Sequence, residues 1–367
     1  MPGLDLLEEA DRQLTICNAC RYCEGYCAVF PAIEIRQEFG KGDVFYLANL
    51  CHDCRACYYA CMYSPPHEFA INIPRLMADV RLTSYEQLSW PVLLARAYSK
   101  RWVGVSLAGF AALLVIFLSM LLVHPDRMYA RHVAPGSFYE VIPYIVMVIP
   151  ALALFFYAIG VWLAGCVRFW PEARNVLRGP GALNALVGAV GESLSLQYLK
   201  GGGSGCTYPE EKPSSGRRLY HSFVFWGFLS DLLSTTLAFI YQDFMHQLPP
   251  FPMTSAPVVF GSVGGVAIMV GVAGLIGLKT KSDPAPAGPG VSSLDYIFLS
   301  TLGLTALTGM LTLVFRATPA MGFMLTIHLA LVAGLFVTAP YGKFVHVPYR
   351  FLALLRHRIE REQSLRL

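Results

Sequence analysis

Charge is scarce in this 367-residue chain: Asp, Glu, Lys and Arg make up 14% of it, where a soluble globular domain carries about 25%. The shortage is uneven, because the first hundred residues hold an ordinary share. The rest must therefore contain membrane spans, which excludes a wholly soluble protein. No stretch looks like a cleavable leader, and none is expected, since the first residues are acidic and polar (Asp5, Glu8, Glu9, Asp11). That argues against a secreted disulfide framework. No Gly-rich dinucleotide fingerprint follows a strand, so no flavin or nicotinamide site is visible. The spans show no internal repeat of the transporter kind. A net charge of +4 carries no nucleic-acid signal.

Against these absences stand eight cysteines in two identically spaced runs. Cys17, Cys20, Cys23 and Cys27 read C-x2-C-x2-C-x3-C, and Cys51, Cys54, Cys57 and Cys61 repeat it. Bacterial ferredoxin domains hold two [4Fe–4S] clusters this way, the fourth cysteine of each run serving the other cluster. The expected ligand sets are Cys17, Cys20, Cys23 and Cys61 for one cluster, and Cys51, Cys54, Cys57 and Cys27 for the second. Three thiolates on one tight turn grip three corners of a cube, and the fourth corner needs a distant segment. A structural zinc site uses two C-x2-C pairs, which fits neither the number nor the spacing. His52 and His67 are not needed as ligands, because histidine in Rieske centres replaces cysteine. Ala28 and Met62 stand where a proline usually follows the fourth cysteine, and a helix-compatible segment (34–49) separates the runs. These features predict a helical ferredoxin-like head. Tyr22, Tyr26, Phe30, Tyr58, Tyr59 and Tyr63 are its expected apolar shell.

Six apolar runs of roughly 20 residues follow, each long enough to cross a bilayer: 102–123, 141–164, 219–241, 258–278, 294–315 and 321–341. Pro143 and Pro150 are expected to bend or break the second. The fold class is thus mainly α: a two-[4Fe–4S] head (1–98), a transmembrane helix pair (99–165), and a loop with an interfacial helix (166–218). A four-helix membrane bundle (219–346) and a basic tail (347–367) complete it. Lys and Arg concentrate in the 166–218 loop (Arg168, Arg174, Arg178), at Lys279 and Lys281, and in the tail (Arg350, Arg356, Arg358, Arg361, Arg366). By the positive-inside rule the head and C-terminus are cytoplasmic. A reducing compartment suits the thiolates.

Histidines at membrane depth default to function. His221 begins the third span, His328 lies within the sixth and His346 at its end. His328 and His346 are 18 residues apart, about five helical turns and roughly 27 Å along one face. Stacked histidines suit b-haems clasped between antiparallel helices, each iron taking an imidazole from either side. His221 and His346 share a depth and form a natural axial pair. His328 lacks an obvious partner: Asp231 stands ten residues after His221, leaving His246, His124 or His132 as alternatives. Arg217 and Arg218 are placed for haem propionates, or simply as positive-inside charge. Cys206 is an isolated thiol.

The two cysteine runs, CYYACMYSPPHEFAINIPRLMADVR (Cys57–Arg81) and GCTYPEEKPSSGRRLYHSFVFWGF (Gly205–Phe228) resemble the tricarballylate/citrate utilisation protein B family over essentially the whole chain. The last four spans resemble the haem-b (gamma) subunit of respiratory nitrate reductases. The resemblance implies a membrane electron-transfer protein in the bacterial cytoplasmic membrane. It would take electrons from a soluble FAD-dependent tricarballylate dehydrogenase through two [4Fe–4S] clusters and one or two haems b to quinone. The alternatives are an anchor for another dehydrogenase or a heterodisulfide-reductase-like complex, and a membrane redox sensor.

Overall fold

A computed structural model describes residues 3–171, 181–201, 203 and 205–364. Arg174, Arg178, Gly179, Pro180, Gly202 and Arg366 lie outside the described residues. The head is built from α1 (Gly3–Cys20), α2 (Val29–Glu34), α3 (Lys41–Leu50), α4 (Ala56–Tyr59), α5 (Ile73–Leu88) and α6 (Val92–Ser99). Local chemistry sets these boundaries. Asn72 caps α5 by accepting from the Arg75 amide at 3.2 Å, and Pro74 occupies the first turn, where a missing N–H costs nothing. The only described strands are a two-residue antiparallel pair, β1 (Cys206–Thr207) and β2 (Pro213–Ser214).

The membrane part comprises α7 (Arg101–Leu122), α8 (Pro125–Met128) in a connecting loop, and α9 (Tyr144–Phe169). After α10 (Ala182–Leu194) come α11 (Gly216–Phe239), α12 (Ala256–Thr280), α13 (Pro289–Val314) and α14 (Met321–Thr338). Six of these helices are long and apolar enough to span a bilayer, as expected. The second is longer than its apolar run and begins after Pro143, with Pro150 inside it. α11 and α12 approach closely because glycine faces backbone: a Cβ on Gly227 would lie 2.9 Å from the Gly264 carbonyl oxygen. Small residues supply such contacts where lipid gives no hydrophobic drive.

Loops alternate between the two ends of the bundle. On the head side, Arg55 donates to Ser282 at 2.6 Å, Tyr59 to Asp283 at 2.8 Å and Asn72 to the Ala285 carbonyl at 2.9 Å. On the far side the Gly136 amide donates to the Pro249 carbonyl at 2.7 Å, and Arg316 to that of Phe251 at 2.9 Å.

Two features depart from the sequence reading. His328 and His346 do not share a helix. α14 stops at Thr338, a short 3-10 turn covers Lys343–Val345, and His346 opens a new helix, α15 (His346–Ser364). Pro340, lacking an amide hydrogen, sits at the break. The segment read as a tail is also part of the core. Ala353, Leu354, Leu355 and Ile359 of α15 are buried with Ile33, Val44, Leu47 and Leu50 of the head and with Ala185 and Ala189 of α10. Arg36 and Arg356 both pair with Glu360 (2.6 and 2.8 Å) and Asp43 (2.9 and 3.2 Å), flanking the Tyr46 ring from 4.9 and 4.4 Å. The basic residues here clamp the head. α10 turns its alanines to α15 and leaves Leu183 and Val187 exposed.

Candidate functional site

All ten cysteines are free thiols. Cys17 and Cys20 end α1, Cys23 follows in the turn, and the loop after α4 brings up Cys61; these four line one pocket with Tyr22, Phe30, Met62 and Tyr63. Burial, reinforced by Cys61 and other thiols of the set, pushes Cys17 and Cys23 up to about 12. Around the second run the neighbours differ. Cys27 is raised well above the ordinary thiol range by burial, then by Cys54 and Cys51. Cys57 is raised by burial, then by Cys54, Cys27 and Cys51. Burial beside other thiols disfavours the thiolate form, and a coordinated cation would reverse that by deprotonating the thiols that hold it. Among the described residues no three His, Cys, Asp or Glu side chains close on a single metal ion.

The second set is walled by residues from far along the chain. The Thr207 amide donates to the Cys54 carbonyl at 2.9 Å. Cys206, fully buried, packs with Cys54, Leu199 and Tyr208 and points its Sγ at the Leu199 carbonyl, 3.1 Å away. It is thus no isolated thiol. Arg217 Nη1 donates to the carbonyls of His52 (3.0 Å) and Asp53 (2.5 Å), while Arg218 donates to that of Ser195 (3.0 Å). Arg81 and Arg350 both donate to the Cys51 carbonyl, at 2.5 and 3.0 Å. Arg81 and Arg350 were not singled out by sequence, because nothing local separates a bridging arginine from a positive-inside one. His52 bonds the Leu50 carbonyl through Nδ1 at 2.7 Å and lies against Tyr198; His67 packs on Tyr63 and Phe69.

His221 lies on the second turn of α11, with Nδ1 buried and without a hydrogen-bond partner. His346 Nδ1 is engaged by the Lys343 carbonyl. Burial, then Lys343 and Arg350, and also His221 hold this imidazole well below the usual histidine range, so it is neutral and fit to ligate. His328 faces α13, its Nδ1 3.1 Å from the Thr305 carbonyl and 3.3 Å from the Thr308 hydroxyl. The residues considered as its partner are on far-side loops: His132 Nε2 is 2.7 Å from the Arg127 carbonyl, His124 caps α8, and His246 follows the third span. Asp231 abuts Gly264 on α12.

Residues 10–87 match the Citrate utilization protein B Fer4-like domain, and residues 96–365 match the Citrate utilization protein B family. Citrate utilization protein B of Escherichia coli is 41% identical over 362 residues, covering 97% of this chain and 93% of that protein. No solved structure matches. The Fer4-like head points to iron–sulfur electron transfer, and the chain belongs to the Citrate utilization protein B family.

Proposed function

We propose that this protein carries electrons from a soluble FAD-dependent dehydrogenase, by family resemblance one acting on tricarballylate, to membrane quinone. The head and C-terminus face the cytoplasm of a bacterial cell in this reading. Cys17, Cys20, Cys23 and Cys61 hold the first [4Fe–4S] cluster, and Cys51, Cys54, Cys57 and Cys27 the second. His221 and His346 hold one b-haem, which supplies a one-electron iron couple on the head side of the membrane. The unpartnered buried Nδ1 of His221 and the neutral imidazole of His346 fit that role.

One observation carries the reading. Arg217 lies one helical turn before His221 and Arg350 one turn after His346, and both donate to the Cys51–Asp53 segment. Each candidate axial histidine is therefore anchored, through an arginine on its own helix, to the loop of the second cysteine run. Residues of this chain would thus hold the second cysteine set and the histidine pair at a set separation, on which the rate of electron transfer between groups bound there would depend. Arg217 and Arg218 serve protein carbonyls in this arrangement.

An optical and EPR series on purified protein tests it. Dithionite should develop a low-spin b-type spectrum and two interacting cluster signals, and the reduced protein should be reoxidised by a quinone analogue. Protein with clusters but no haem absorption would overturn the haem step.

A further inference from the structure

The loop carrying Cys51 and Cys54 is crowded by guanidinium groups. Arg81 and Arg350 meet at the Cys51 carbonyl, and Arg217 at those of His52 and Asp53. Arg81 also donates to the Ala48 carbonyl at 2.9 Å. The carboxylate on this loop is Asp53, 3.6 Å from Arg55. Among the described residues, no acidic side chain lies within ion-pair distance of Arg81 or Arg350. Arg81 is 5% exposed, and Nε of Arg350 is buried without a partner. Buried cations do not persist without an anion, and carbonyl oxygens provide only partial charge. The first run differs: an exposed arginine, Arg21, donates to the Asn18 carbonyl at 3.1 Å, and the pocket there is lined by cysteine, aromatic and aliphatic side chains.

The missing anion is at hand in the thiolates of Cys51 and Cys54. A four-iron cube held by four thiolates is net negative, and more so by one charge when reduced. Net charge and hydrogen bonding are among the factors that set cluster potentials, so fixed cations favour the reduced state. We propose that Arg81, Arg217 and Arg350 are the counter-charge of the cluster at Cys51, Cys54, Cys57 and Cys27 and raise its reduction potential above that of the cluster at Cys17, Cys20, Cys23 and Cys61. The second cluster is then where the head collects electrons, beside the segment tied to His221 and His346. The proposal rests on the two-cluster reading above. The transfer involves one electron, with no bond broken and no proton moved.

EPR-monitored redox titration of the full-length protein tests it, with both clusters read in each variant. Arg350→Gln and Arg81→Gln keep a hydrogen-bond donor but lose charge, and should lower the second midpoint while leaving the first in place. Arg350→Lys keeps the charge and should stay near wild type. Asp53→Asn removes the opposing charge and should raise the second midpoint; Asn suits the positive φ of 54° there. Unchanged midpoints in the glutamine variants, or a lysine variant falling as far as glutamine, would overturn the proposal. A wild-type second midpoint below the first would do so too. If the arginine variants do not fold, Asp53→Asn decides: no upward shift means the charge does not act. Wild-type protein with a single cluster signal would instead refute the two-cluster reading, and this proposal with it.

Discussion

Arg217 Nη1 lies 2.5 Å from the carbonyl oxygen of Asp53, 164 residues away in sequence. The bond joins the first turn of a membrane helix to the loop between two cysteines of the second run. A charge-assisted hydrogen bond of this kind is worth about 1.5–3 kcal/mol. Arg350 makes the matching link from the other histidine-bearing helix to Cys51, across 299 residues.

Replacing Arg217 with Met should therefore loosen the loop, leaving two buried carbonyls short of a donor. We expect a loss of about 1–3 kcal/mol and faster proteolysis between His52 and Arg55. Digestion unchanged from wild type would show that the bond does not hold the loop.

Exchange of cysteines between runs is tested by Cys27→Ala. Non-haem iron should fall from about eight to about four per chain, and the surviving EPR signal should belong to Cys17, Cys20, Cys23 and Cys61. Loss of that signal instead would mean that each run serves its own cluster.

His221→Ala and His346→Ala should each abolish the b-type spectrum and quinone reduction, while dithionite still reduces both clusters. His328→Ala should spare that haem, since His328 is bonded to α13. A normal haem spectrum in the His221 variant would exclude it as a ligand.

Iron removal should leave thiols that resist alkylation. Cys17 and Cys23, pushed up to about 12 by burial, are almost wholly protonated at pH 8. Their alkylation should be about a thousandfold slower than in unfolded chain, where a thiol titrates near 8.5. These folded pKa values are raised, so the protonated thiols contribute stability that is complete below about 8.5 and lost as pH rises toward 12. Denaturation of the iron-free head should track that window. Rapid labelling at pH 8 in a folded iron-free head would contradict the burial.

Topology gives a further check. A reporter inserted at Met253 should read periplasmic, and one fused to the C-terminus cytoplasmic. α15 packs into the head core, so the head and the C-terminus lie on one side; a Met253 reporter reading on that same side would break the six-span arrangement.

Ligand spacing and the length of apolar runs are local quantities, complete within one stretch of chain. The cysteine runs, the helical class, the six spans and the family resemblance were accordingly legible from residue order alone. Continuity of a helix is less local: five turns from His328 to His346 was sound arithmetic, but the break around Pro340 put the two histidines on separate helices. The roles of Arg81, Arg217 and Arg350 were not legible. An arginine beside a membrane span reads as positive-inside charge until its acceptor is known, and here the acceptors are main-chain carbonyls brought near only by packing. The same holds for α15, whose Leu354, Leu355 and Ile359 have no visible destination in a basic tail. Folding buries them against α3 and α10, in a cluster that forms only when segments distant in sequence pack together.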